Sequence, residues 1–484
     1  MDAECLYKLF RVNSAITLDD LRKLLDLQVK EEGSVDKLLG YNTYSRLSIK
    51  LSATYGKGWR SATTSLLEGW LGENPSAIGD QLKPPQFANL AALAPSAVER
   101  FPLEHQRLSE FSSLDSFTFL QRSENFERLK NFLFDGRERR SEPPSPSLLL
   151  AFALSTSVHA HSQEDQILSG LRSRLTSPSP PIELIRKAIS ARLANKRRLS
   201  QEKHTATGDR VALIIAGQMR SMDVALPGIA KAFNKVTPDI FISTWDQPGL
   251  TKVEPARYKR LFSEALWPQA EALSQDQWHQ LSASMLAREK IAPNKMRRRI
   301  ESALPDANLC GINVDNEDHP MFSRMTNHAK MYWHNRFWPV QLGENYLSEN
   351  YDYVIKVRPD IRLTSRDPFT FDNLRSLGHR IATETPSWKF NTWGLGIGDQ
   401  VIYGRSATME PILSTWWDKN QLVPRLVSSV LAKPDLFLGH QNVGLELWLS
   451  GSEPARMSFG HGGFYSNKIN SPEELDMLLQ ADPR

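Results

Sequence analysis

The spacing of hydrophobic positions changes near residue 210. Before that point apolar residues recur at three and four, as in Leu21, Leu24 and Leu25, and again in Phe126, Leu129, Phe132 and Leu133. That spacing belongs to a helix with one buried face. It predicts helices near residues 21–27, 63–71 and 126–133, then one over 148–174 and another over 182–199. Asp19 and Asp20 stand where an N-cap falls, ahead of the first. Two proline-rich breakers, at 142–147 and 177–182, cannot continue helices. A polar stretch to Asp209 then reads as a linker, and no fixed-period repeat is legible. The expected organisation is a helical accessory domain over 1–200, divisible at the breakers, a linker over 201–209, and a second domain over 210–484.

After Arg210 the pattern alternates between strand and helix. Val211 to Ala216 is a continuous apolar run, as expected of a strand covered on both faces. Leu226, Ile229, Ala230, Phe233 and Val236 follow at helical spacing, with Pro227 in the first turn. A second strand over 238–244 completes a βαβ unit. Residues 250–310 are polar and expected to be mostly helical. A long helix over 322–348, kinked or split at Pro339, leads into a strand at 353–358. Later strands are expected at 380–383 and 400–403, and a last helix at 442–449. The fold class is therefore α/β, preceded by an all-α domain.

Composition narrows the function classes. A chain of 484 residues exceeds one ordinary core. Its formal charge of +4 is small for that size and argues against bulk nucleic-acid binding. The basic runs at 195–198 and 294–299 are not interleaved with aromatic residues and read as solvated helix faces. Two cysteines, Cys5 and Cys310, make neither a disulfide framework nor a zinc site and fit a reducing compartment. The N-terminus lacks a signal-peptide pattern, and the longest apolar stretch, 148–154, is too short to span a bilayer. The expectation is a cytoplasmic protein whose membrane contact is at most peripheral, at the inner face.

Candidate chemistry gathers at strand exits. The strand ending in Lys356-Val357-Arg358-Pro359 runs from apolar to charged, and Asp360 lies just past it. Open α/β sheets bind ligands at the carboxyl ends of their strands. A carboxylate there can hold a metal–diphosphate or a sugar hydroxyl, or simply cap the turn. Gly217-Gln218-Met219-Arg220 leaves the first strand; Gly217 admits close backbone approach and Arg220 offers a fork for diphosphate. Neither the dinucleotide fingerprint nor a phosphate loop is present. Gly394, Gly396 and Gly398 precede a strand, not a helix, and are expected to let backbone approach a substrate. Asp399 then sits at a strand mouth, as a general base or sugar ligand. Glu446, on the helix opened by His440, is a second carboxylate, and His461 is a candidate ligand for a metal or phosphate. Trp388, Trp393, Trp416 and Trp417 offer faces for sugar rings or for core packing.

Taken in order, these pieces resemble bacterial and viral polysaccharide-type glycosyltransferases. The likeness runs from Val211 through Gly217–Arg220, Asp239–Asp246, Tyr351–Asp360 and Gly398–Gly404 to Glu446, about half the chain. It implies a GT-A-like mixed sheet flanked by helices. It further implies transfer of a sugar from a nucleotide-sugar donor to a glycan, lipid-linked or protein acceptor, in surface polysaccharide biosynthesis. Donor contacts would fall to Gly217, Gln218, Arg220, Trp245, Arg358 and Asp360. The base would be Asp399, or else Glu446. Mg2+ or Mn2+ would sit on Asp360, with His461 as a further ligand. The chain departs from the resemblance at one place: the usual Asp-x-Asp is Arg358-Pro359-Asp360. One carboxylate remains, flanked by Arg358 and Arg362, so arginines can take part or all of the metal's role. The alternative is a non-catalytic nucleotide- or glycan-binding module that interacts mainly through its helical half.

Overall fold

The computed structural model describes residues 15–40, 43–79, 81–134, 142–201, 210–219, 222–246, 253–255, 258–286, 293–323, 325–364, 369–415, 421–432, 439–458, 460–464 and 469–481. Cys5, Arg220, Trp416, Trp417 and the expected linker at 202–209 lie outside them. So do the side chains of His461 and its neighbours to Phe464. The chain divides into two compact units. One takes Met1–Arg197 with two later segments, Trp388–Gly396 and Asp418–Leu436; the other takes the remainder. Sequence periodicity does not reveal the two returning segments.

The first unit is helical where the apolar spacing predicts it. Its first helix, Leu18–Glu32, buries Leu21, Leu24 and Leu25. Thr17, not Asp19 or Asp20, is the N-cap; its hydroxyl accepts the Asp20 N–H at 3.1 Å while Asp20 accepts the Thr17 N–H at 2.9 Å. The stretch expected as one helix over 148–174 is two, Pro146–His159 and Glu164–Arg174. Arg192 and Glu164 form a salt bridge at 3.1 Å, both side chains 0% exposed, which offsets the cost of burying either alone. A returning hairpin, Lys389–Asn391 with Gly394–Gly396, sets Phe390 edge-on to Phe117 at 5.5 Å.

The second unit is built on strands, numbered here in chain order through the whole protein: β1 Val211–Ala216, β2 Asp239–Trp245, β3 Asn308–Asp315, β4 Tyr353–Val357, β5 Ile361–Thr364, β6 Ile381–Thr383, then the hairpin β7 and β8 above, β9 Val401–Arg405, β10 Pro454–Arg456 and β11 Gly460–Phe464. A seven-stranded sheet has the order β10-β6-β9-β4-β1-β2-β3. β9 runs antiparallel to both neighbours, and the other pairings are parallel. This is a mixed α/β sheet. Its core joins Leu213, Ile215, Ile240, Ile355 and Val357 to the helix Met222–Ala232 through Ile229. β5 pairs separately with β11, which sets His461 opposite Leu363.

The described residues of 250–310 are mostly helical, as expected, until β3 begins at Asn308. One expectation is corrected. Pro339 does not split the long helical stretch; it lies inside the helix Asn327–Leu342. The breaks come elsewhere. Thr326 caps a fresh helix, and Gly343 and Asn345 take φ of 102° and 64°, which end one. Among the described residues no helix is long and apolar enough to cross a membrane.

Candidate active site

The strand order decides where a ligand can enter. From β1 the chain moves to β2 and then β3 on one side. It then returns to lay β4 on the other side of β1. Open α/β sheets bind ligands outside the carboxyl ends of their strands at such a reversal. Here the loops leaving β1 and β4 are Gly217-Gln218-Met219 and Arg358-Pro359-Asp360. They meet: a Cβ on Gly217 would have Pro359 Cδ as its neighbour at 3.7 Å. Gly217 has φ 121°, a conformation that favours glycine, and its N–H donates to the Ser243 carbonyl at 3.1 Å. Met219 turns back into the core, and Gln218 is half-buried.

Arg358 clamps Asp360. Its Nε donates to Oδ1 at 2.9 Å and its Nη2 to Oδ2 at 2.9 Å. The Asp360 side chain is 0% exposed and the Arg358 side chain 17%. A buried carboxylate needs such a partner, since an unpaired one would be expelled or protonated. Beneath the turn, Lys356 is 0% exposed and donates to the main-chain carbonyl of Asp399. Burial pulls its amine down to about 8 against the charges of Asp399 and Glu384.

β9 brings in the second group. Val401 pairs with Val357, and the Arg358 N–H donates to the Gln400 carbonyl at 3.1 Å. Asp399 therefore stands beside the Arg358–Asp360 turn. It is 4% exposed, and both its oxygens have partners. Tyr332 donates its hydroxyl to Oδ2 at 2.9 Å, and His440 Nδ1 lies 3.3 Å from Oδ1. Burial, then the Asp399 charge, pushes the Tyr332 phenol well above its usual range, so it stays a donor. His440 enters from the start of the helix Gly439–Leu449. Gly439 makes room for the Tyr332 ring: a Cβ there would lie 2.7 Å from Tyr332 Cε2.

The glycine run has a different use from the one its sequence suggests. Gly394 and Gly396 belong to β8 in the first unit. A Cβ on Gly398 would collide with the Glu384 carboxyl. That carboxyl accepts the N–H groups of Gln400 at 3.3 Å and Val401 at 3.4 Å. Gly398 thus admits a neighbouring carboxylate that fixes the start of β9. Trp245 is 1% exposed, with His334 edge-on at 4.2 Å and Phe322 at 4.5 Å. His334 is kept neutral by burial, at about 3, and shares a 2.7 Å hydrogen bond with Ser243. Trp388 and Trp393 lie in the first unit, Trp393 being 38% exposed.

Glu446 bonds elsewhere, accepting the Thr415 hydroxyl at 3.3 Å. Burial pushes its carboxyl up to about 7 from 4.5. A raised carboxyl holds its proton in the folded state. The stability this gives is present in full below 4.5 and is lost as pH rises through 7. Glu446→Gln is therefore expected to gain stability over the parent across that window, by about 3 kcal/mol at the upper end. Thermal melts of both proteins at the two ends of the window check this, and parallel curves would refute it.

The donor set at Asp360 does not fit a divalent cation. A cation bound through a single carboxylate and substrate phosphates still needs a carboxylate oxygen open to it. Both Asp360 oxygens face a guanidinium, and among the described residues Asp360 joins no convergent group of three His, Cys, Asp or Glu ligand atoms. Four residues escape sequence reasoning: Lys356, Tyr332, Glu384 and His440. Only Lys356 carries a local signal, as the one charged residue inside the apolar strand β4. No family model matches this chain, and no curated protein or solved structure does.

Proposed function

We propose that the second unit is a GT-A-like glycosyltransferase. It takes a sugar from a nucleotide-sugar donor and passes it to a glycan, lipid-linked or protein acceptor in surface polysaccharide biosynthesis. One observation carries this reading: the β1/β4 reversal brings the Gly217 backbone, the Arg358–Asp360 clamp and Asp399 to one edge of the sheet. The mixed sheet, with β9 antiparallel among parallel neighbours, supports the fold half of the proposal.

Charge supports the chemical half. When the sugar leaves, the diphosphate gains negative charge that must be met by groups already in place. Two Arg358 donors bind Asp360, Nη1 lies 3.9 Å from Met331 Sδ, and the side chain is 17% exposed. Arg358, with Lys356 behind it, supplies that charge without a cation. Asp360 positions Arg358. Gly217 and Gln218 line the opposite lip of the crevice.

Incubation with a panel of nucleotide sugars tests the proposal, each with EDTA or with Mn2+. One donor is expected to release its nucleoside diphosphate equally in both arms, with release lost in Asp360→Ala. The burial of Asp360 also favours a second reading, a non-catalytic nucleotide- or glycan-binding module. Tight nucleotide binding with no release from any donor, acceptors included, would select it.

A further inference from the structure

The pair Asp399–His440 has a use beyond holding β9 in place. His440 Nδ1 lies 3.0 Å from the Ile397 carbonyl and 3.3 Å from Asp399 Oδ1. A carbonyl oxygen only accepts, so Nδ1 carries the proton. With Nδ1 donating, the ring position open to a proton is Nε2. The side chain is 43% exposed while Asp399 is almost wholly covered. A buried carboxylate whose second oxygen is taken by Tyr332 is poorly placed to receive a proton from an acceptor. A half-open imidazole behind which that carboxylate stands is well placed.

We infer that His440, not Asp399, takes the proton from the acceptor hydroxyl, and that Asp399 is its positioning residue. The inference rests on the glycosyltransferase reading above. In the step, the acceptor oxygen bonds to the anomeric carbon of the donor. The bond from that carbon to the diphosphate oxygen breaks, and its electron pair leaves with the nucleoside diphosphate. The hydroxyl proton passes to His440 Nε2 and is later returned to solvent. Attack opposite the leaving group inverts the anomeric configuration. The Asp399 carboxylate stabilises the imidazolium as it forms, as a carboxylate does behind any histidine base. Among the described residues, the titratable and charged groups around the pair are Asp399 itself, Tyr332, Lys356, Glu384 and the Arg358–Asp360 clamp. Tyr332 stays protonated, so it does not compete for the proton.

The experiment uses the full chain with the donor that the panel identifies. Nucleoside diphosphate affinity, kcat and the pH–rate profile are measured for the parent, His440→Gln and Asp399→Asn. His440→Gln is expected to lower kcat roughly 10²–10⁴-fold, to abolish the acidic limb, and to change nucleotide affinity by less than about twofold. Asp399→Asn is expected to move the acidic limb to lower pH, because the imidazolium loses its counter-charge. Unchanged nucleotide affinity confirms that each variant is folded. A parent that neither binds nor cleaves any donor overturns the glycosyltransferase reading, and this inference with it. A parent that transfers sugar while His440→Gln keeps its kcat and acidic limb overturns the inference alone. So does a product of retained configuration.

Discussion

Replacing Arg358 with Ala is expected to cost the fold about 3–5 kcal/mol and donor turnover roughly 10²–10³-fold. The stability loss follows from what is left behind. Asp360 is 0% exposed, and both its oxygens are held by the Arg358 fork at 2.9 Å. Without the guanidinium a carboxylate sits buried with its main counter-charge gone. Breaking such a pair from one side costs more than removing it whole. The double variant Arg358→Ala/Asp360→Ala should therefore be more stable than Arg358→Ala alone. Urea denaturation of the four proteins in this cycle measures the coupling. Additive losses would mean that the clamp is incidental. The activity loss has a separate origin, because the same fork is the proposed counter-charge for the leaving diphosphate. Arg358→Lys keeps the charge but not the two-pronged geometry. It should fall between the parent and Ala in both readouts.

Gly311→Ala is expected to destabilise the second unit by about 1–3 kcal/mol without touching the crevice. Gly311 lies on β3, just past a register shift at which Ile240 pairs with Leu309 and Phe241 with Gly311. The extra residue bends the strand, as bulges do. Trp338 fills the space: a Cβ on Gly311 would lie 2.6 Å from its Cζ2 and 2.9 Å from its Cζ3. The indole is pinned. Its Nε1 donates to the Ile242 carbonyl at 2.8 Å, and its ring packs on Phe241 at 5.4 Å and Phe337 at 5.2 Å. Either the strand or the indole must shift. A midpoint in denaturant equal to the parent's would contradict this packing.

Particular elements explain which parts were legible in the sequence. β1 and β4 stand out because strands buried on both faces are nearly continuous apolar runs, Lys356 being the one charged position in β4. β3 does not. It is an edge strand, with Asn308, Asn313 and Asp315 among its residues and mostly half-buried positions. Edge strands carry polar groups for that reason, and period alone cannot find them. β5, β7, β8 and β11 are short and exist through pairing with partners that no local spacing announces. At the site, Arg358, Asp360 and Asp399 were visible because each abuts a recognisable strand. Tyr332, Glu384 and His440 were not, since their meeting depends on a helix, a strand exit and a second helix converging on Asp399 or on the backbone beside it. The glycine run misled for a related reason. Sequence tells that Gly398 leaves room, but not that Glu384 occupies it.

A nucleoside diphosphate is expected to bind at the carboxyl ends of β1 and β4 through Arg358 and not through a cation. Calorimetric titration of nucleoside diphosphates into the parent and Arg358→Lys, with EDTA present throughout, tests this most directly. One diphosphate should bind the parent in EDTA, with affinity at least about tenfold weaker in Arg358→Lys. Absence of binding until Mn2+ replaces EDTA, or equal affinity in the two proteins, would contradict the account.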